Sequence, residues 1–146
     1  MEQDVTKMIA KSALNHKRIM TKLLERFDIT YAQYQVLKTV KAYQPLTAKE
    51  MLVYLDTDKA TLSGILNRLE KRELIIRAED KRDRRLMYVQ LSKVSAEMLK
   101  ELDTLEKDID KMLIDGVKNR ELKNFMNAFE TMLKNQQNKL EELEEE

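Results

Sequence analysis

The sequence predicts a mainly α chain with one small β-hairpin. Three observations carry this. Only two Gly and one Pro stand among 146 residues rich in Leu, Lys, Glu and Met, a composition that favours helices joined by short connections. Apolar residues recur at helical spacing in several stretches, first from Val5 to Phe27 and again beyond Met98. Over residues 74–91 the pattern changes to two short β-rich runs around a charged tip, Asp80-Lys81-Arg82-Asp83-Arg84-Arg85.

Val5, Met8, Ile9, Ile19, Met20, Leu23, Leu24 and Phe27 fall on one face and predict an amphipathic helix over about residues 4–26, ended by Asp28-Ile29. Thr30 and Gln33 then fit a capping box, in which the Thr hydroxyl accepts a free backbone N–H and the Gln side chain reaches back. The helix that follows turns Tyr34, Val36, Leu37 and Val40 inward and stops before Pro45, which disfavours helix in the residue ahead of it. Thr47 and Glu50 fit a second capping box, opening a short helix with Met51, Leu52 and Leu55 apolar. Asp56-Thr57 reads as a turn and Asp58 as the N-cap of a further helix to Arg72. There Leu62, Ile65, Leu66 and Leu69 make one buried stripe, which leaves Lys59, Thr61, Ser63, Gly64, Asn67 and Arg68 outward. Two such helices joined by so short a turn suit a helix-turn-helix.

Residues 74–79 and 86–91 read as the two strands, the second with Met87, Val89 and Leu91 on one face. Ser92 caps a long helix whose seam of Met98, Leu99, Leu102, Leu105, Ile109, Met112 and Leu113 ends near Gly116. Asn119 reads as the cap of a last helix, with Leu122, Phe125, Met126, Phe129, Met132, Leu133, Leu140 and Leu143 as its seam. These seams suit either an intramolecular bundle or a dimer interface.

Composition removes several function classes. There is no Cys, so disulfides, thiol sensing and Cys-ligated metals are excluded. His16 is the only histidine, and no metal-spaced cluster, glycine-rich phosphate loop or nucleophile–base pair is visible, so neither a cofactor nor catalysis is expected. No apolar run approaches the ~20 residues that span a bilayer, and the first residues lack the apolar core of a signal peptide, so the expected compartment is the cytoplasm, with no membrane partner.

The net charge is +1, but its distribution is uneven. Residues 1–46 carry 8 Lys/Arg against 4 Asp/Glu, residues 47–96 carry 11 against 8, and residues 97–146 carry 8 against 14. The acidic last third would be repelled by phosphate and should lie away from any nucleic acid.

Taken alone, residues 81–85 are a solvated charged turn. Placed after a helix-turn-helix and between two strands, they point instead to double-stranded DNA. The helix suits a major groove and the basic hairpin the neighbouring minor groove. Lys59, Thr61 and Ser63 near the helix N-terminus can reach base edges, with Gly64 permitting close approach. Asn67 and Arg68, further along, suit phosphate.

The element order, together with Glu79-Asp80-Lys81-Arg82-Asp83-Arg84-Arg85-Leu86-Met87-Tyr88-Val89-Gln90-Leu91-Ser92 and Leu66-Asn67-Arg68-Leu69-Glu70-Lys71-Arg72-Glu73-Leu74-Ile75, resembles the MarR family of winged-helix transcription regulators. The resemblance covers essentially the whole chain. It implies a single chain, residues 1–146, with a winged helix-turn-helix DNA-binding region at 30–92 flanked by helical dimerisation regions at 1–27 and 93–146. It implies a repressor acting as a homodimer on a pseudo-palindrome, with its two recognition helices roughly 34 Å apart. Arg85 would be the wing residue in the minor groove, paired with Asp83, with Arg82 and Arg84 at nearby phosphates and Lys81 completing the wing. Many members respond to small aromatic or phenolic effectors, for which His16, Arg18, Tyr31, Tyr34 and Met51 are candidate cleft residues; ordinary packing accounts for them equally well. Two positions depart from the family pattern. Glu73 stands where Gly is usual, at a cost on the order of 1 kcal/mol if left-handed, and Ser95 stands where Gly is frequent. The alternative class is a winged-helix module that contacts proteins.

Overall fold

Residues 4–146, which the computed structural model describes, are mostly helical with one small antiparallel sheet. The helices are α1 (Val5–Leu24), α2 (Tyr31–Tyr43), α3 (Ala48–Met51), α4 (Lys59–Lys71), α5 (Lys93–Leu113) and α6 (Asn119–Glu144). The strands are β1 (Leu46–Thr47), β2 (Ile75–Glu79) and β3 (Met87–Leu91). The chain divides into two compact units, one ending at Leu102 and the other beginning at Asp103. Of the expected 1–27 region, residues 1–3 lie outside the described residues.

In the first unit, α1 tightens into a 3₁₀ turn (Glu25–Phe27) and stops at Asp28, whose φ of 53° is left-handed. The capping box forms as read: the Gln33 N–H donates to Thr30 Oγ1 and the Thr30 N–H to Gln33 Oε1, both at 3.0 Å. Tyr34, Val36, Leu37 and Val40 are buried, and α2 packs on α4 and β3. Met20 and Leu24 of α1, Leu46, Met51, Leu62, Leu66, Leu69, Val89, Leu99 and Leu102 complete this core.

Three local expectations need correction. First, α3 is a single turn, and residues 52–57 form turns and bends rather than the two-residue connection read at Asp56-Thr57. The Leu55 N–H still reaches Met51 C=O at 3.2 Å, but Val53, Tyr54 and Asp56 are weak helix formers and the turn does not propagate. Second, the sheet has three strands, in the order β1-β3-β2, with Leu46 opposite Val89 and Thr47 opposite Tyr88. A two-residue strand is too short to display alternation. Third, the Thr47 box is half made. The Glu50 N–H donates to Thr47 Oγ1 at 3.2 Å, but the Glu50 carboxylate takes the Thr47 hydroxyl at 3.1 Å instead of its backbone N–H.

The exit of α4 fixes the direction of β2. The Leu74 N–H donates to Leu69 C=O and the Glu73 N–H to Glu70 C=O, both at 2.9 Å, the pairing of a Schellman motif. That motif puts Glu73 at φ 58°, in the left-handed region. At the start of α5, Ser92 Oγ accepts the Ser95 N–H at 3.2 Å, as expected of a cap. The Ser95 hydroxyl is fully buried and donates to Leu74 C=O at 2.6 Å. A residue that departs from the family pattern thus ties the first turn of α5 to the exit of α4.

In the second unit, the last part of α5 leads through Gly116, at φ 81°, into α6. The cap of α6 is Lys118, one residue before the expected Asn119. The Lys118 N–H donates to the Glu121 carboxylate at 3.2 Å, the reach-back half of a capping box, and the Lys118 side chain supplies no acceptor to the first-turn N–H groups. Phe125 and Phe129 stack at 5.4 Å, while Met126, Leu133, Leu140 and Leu143 remain about half exposed.

Glu73→Gly is expected to stabilise the chain by about 0.5–1 kcal/mol, because Gly adopts positive φ without the Cβ clash. Ser95→Ala is expected to destabilise it by about 1 kcal/mol; the Leu74 carbonyl keeps its bond from Ser92, so the loss is one hydrogen bond and not an orphaned acceptor. Urea unfolding of the two variants beside the parent measures both.

Candidate nucleic-acid interface

The burial of Leu62, Ile65, Leu66 and Leu69 fixes the rotation of α4 about its axis. Lys59, Thr61, Ser63, Asn67 and Arg68 are consequently exposed and Gly64 half-buried, as the sequence pattern predicts. Gly64, Asn67 and Arg68 line a shallow groove with Glu70 and Lys71.

Asp58 caps α4. Its carboxylate accepts the Thr61 N–H at 2.7 Å and the Thr61 hydroxyl at 3.0 Å. The Thr61 N–H and then its hydroxyl hold the Asp58 carboxyl below the usual carboxylate range. The Thr61 proton is therefore in use. What Thr61 offers outward is a methyl group and lone pairs, which suits a thymine methyl or a base donor.

The hairpin tip is built by two carboxylates. Asp80 accepts the backbone N–H groups of Arg82 at 2.6 Å and Asp83 at 3.2 Å, an Asx turn. The Tyr88 phenol stands beside it, and the Asp80 charge raises the Tyr88 pKa above its ordinary value. The Asp80 N–H donates to Leu86 C=O at 3.0 Å and closes the loop. Asp83 then grips Arg85: the backbone N–H and Nε both donate to Oδ1 at 3.0 Å, and Nη2 donates to Oδ2 at 3.2 Å. The Arg85 guanidinium, followed by its backbone N–H, lowers the Asp83 pKa. The Arg85 side chain is nonetheless 90% exposed. Lys81, Arg82 and Arg84 are exposed and make no ion pair among the described residues.

One residue the sequence reading passed over joins the two parts. Arg77, on β2, donates from Nη2 to Asn67 Oδ1 at 2.7 Å and sets Nε 3.5 Å from the Glu70 carboxylate. Its signal was present: Arg77 shares strand parity with buried Ile75, so its side chain points to the covered face, where an Arg needs a partner.

Of the candidate effector residues, Tyr31 and Tyr34 are neighbours on α2, with ring centroids 6.4 Å apart. Tyr34 is 3% exposed and Met51 fully buried, both in the core. His16 and Arg18 are exposed on α1. Tyr31 is half-buried, with its hydroxyl accepting from Gln35 Nε2 at 2.6 Å and Lys17 above its ring. Among the described residues no group of three or more His, Cys, Asp or Glu could hold a metal ion, and no helix is long and apolar enough to cross a membrane.

Residues 27–86 match the model of the MarR family. An uncharacterised helix-turn-helix-type transcriptional regulator of Bacillus cereus is 38% identical over 63 residues, 43% of this chain and 43% of that relative. The organic hydroperoxide resistance transcriptional regulator of Bacillus subtilis is 38% identical over 88 residues, 58% of this chain and 59% of its own. The chain thus matches about half the length of these relatives. A crystal structure of Staphylococcus aureus MepR in complex with DNA shares the fold, with a TM-score of 0.79 at 23% identity, over 92% of this chain and 99% of that one.

Asp58 and Asp83 contribute to the acid limb of stability. Both folded pKa values are depressed, so their contribution is complete above the unfolded value and is lost as pH falls through the folded one. Asp58→Asn keeps an acceptor but does not titrate, so its urea midpoint is expected to depend less on pH than the parent's between about pH 5 and pH 2. Parallel profiles would show that the cap does not contribute to the acid limb.

Proposed function

From the match of residues 27–86 to the MarR family model, we propose that the chain is a MarR-family, sequence-specific, double-stranded DNA-binding transcription regulator. In this reading it is a repressor that works as a cytoplasmic homodimer on a pseudo-palindromic operator. The observation that carries the proposal is Arg85: an exposed guanidinium held in one orientation by Asp83, at the tip of a hairpin anchored to α4. An exposed ion pair two residues apart contributes little to stability. Its consequence is to limit where Arg85 points, which is what insertion into a narrow minor groove requires. Lys81, Arg82, Arg84 and Arg68 neutralise phosphate and release counterions, while Lys59, Thr61 and Ser63 meet base edges. The DNA complex of MepR, on the same fold, supports this assignment.

Residues 30–92 form the DNA-binding region, and residues 1–27 and 93–146 form the dimer. Support comes from apolar side chains left exposed on α1 and α6, among them Met8, Phe125, Met126, Leu133 and Leu140. His16, Arg18 and Tyr31 are the positions that a small aromatic or phenolic effector could reach, at the cost of operator affinity. The reading assigns no catalytic residue, cofactor or metal.

Selection from a pool of random duplexes at moderate salt tests the proposal. An inverted repeat with half-sites about 10 base pairs apart is expected. Arg85→Ala should lower affinity for the recovered duplex by about tenfold or more with its thermal midpoint unchanged. Equal binding by Arg85→Ala would remove the wing assignment. A pool without enrichment would favour a winged-helix module that contacts an acidic protein.

A further inference from the structure

We propose that Arg77 is a positioning residue of the interface: it fixes Asn67 as a hydrogen-bond donor and holds the hairpin in register with α4. The proposal rests on the DNA reading above.

An Asn amide has one acceptor oxygen and an NH₂ group with two donors. Arg77 approaches from the sheet side and occupies the oxygen at 2.7 Å. The Nδ2 amino group is then the end of Asn67 presented to the groove it lines with Gly64 and Arg68. Phosphate oxygens only accept, so an Asn held donor-outward matches phosphate, whereas a freely flipping one matches it half the time. Glu70, three residues on, lines the same groove. Its carboxylate would repel phosphate, and the Arg77 guanidinium at 3.5 Å offsets that charge.

Folding alone does not account for Arg77. The position continues the face of Ile75, where an aliphatic side chain would pack without polar cost. Arg77 Nε is instead buried without a hydrogen bond, the one such side-chain atom among the described residues. Nε faces the Glu70 carboxylate at 3.5 Å, an ion pair without hydrogen-bond geometry, so its burial is only partly offset. The same side chain is the hydrogen-bonded link between the hairpin and the outward face of α4, the two parts that must enter adjacent grooves together.

The test uses the full chain and a labelled duplex carrying the inverted repeat recovered with the parent. Arg77→Met, which keeps length and loses both contacts, is expected to weaken binding roughly tenfold, one charge-assisted hydrogen bond's worth. The slope of log affinity against log salt should stay at the parent value, because Arg77 itself touches no phosphate. A slope reduced by about 1 would make Arg77 a direct phosphate contact and overturn the proposal. In an Asn67→Ala background, Arg77→Met should cost much less than in the parent; full additivity would overturn the link through Asn67. Arg77→Lys keeps a charge beside Glu70 and should recover part of the affinity; a Lys variant no better than Met would count against the charge-offset role. The Asn67 side-chain amide, followed by NMR without DNA, should move toward random-coil positions in Arg77→Met. An unmoved signal overturns the clamp itself, even where binding is intact. A parent that selects no duplex overturns the DNA reading and the interface role together, whatever the amide does.

Discussion

The rotation of α4 is the constraint on which the rest of the first unit depends. Leu62, Ile65, Leu66 and Leu69 are buried together, and they form a stripe narrow enough to leave only one outward face. Burial of each such side chain contributes about 1.5–3 kcal/mol, far more than any surface contact of the same helix. The polar face therefore does not choose its own orientation; the apolar face sets it. Two further bonds pass this orientation on. The Schellman exit directs the chain from Leu69 into β2, and the Ser95 hydroxyl ties the start of α5 to the same carbonyl at Leu74. Hairpin and helix thus take their positions from one buried stripe.

Charge is arranged locally rather than in bulk. A net charge of +1 gives no long-range pull on a polyanion. What the chain has is a small number of solvated cations on a hairpin whose shape is set by carboxylates. Asp80 organises the turn through backbone N–H groups, and Asp83 orients one guanidinium. These acids lower the local net charge and so weaken non-specific attraction, while they sharpen geometry. The acids thus trade local positive charge for a defined hairpin shape.

Most of the architecture was legible because its signals are local and periodic. The α4 stripe, the Thr30 box and the Asp58 cap depend on residues within two turns of one another, whereas the Asp83–Arg85 pair was legible only through the family resemblance. The features that escaped depend on partners distant in sequence, or are too short for a period to show. β1 has two residues and exists only because β3 lies beside it. Arg77 meets Asn67 across ten positions, and nothing in the strand's own pattern names that partner. The cap of α6 falls on Lys118, a residue with no side-chain acceptor, where the bond comes instead from Glu121 three residues on. Tyr34 and Met51 look the same in sequence whether they line a cleft or fill a core, and the core claims both.

Gly64 shows how the two levels meet. A glycine within a helix costs about 1 kcal/mol relative to Ala, so a reason for it should exist. Packing supplies none: a Cβ built at Gly64 would have no atom within 4 Å, and its backbone is ordinary helix. Positive φ explains Gly116, at the turn into α6, but not Gly64. Gly64 lies on the face where Ser63, Asn67 and Arg68 are exposed, and on the proposed DNA reading the missing side chain is a feature of that interface. In that reading α4 enters a groove, where a bare patch permits close approach, and the stability lost at Gly64 is small beside the four buried side chains that hold α4 in place.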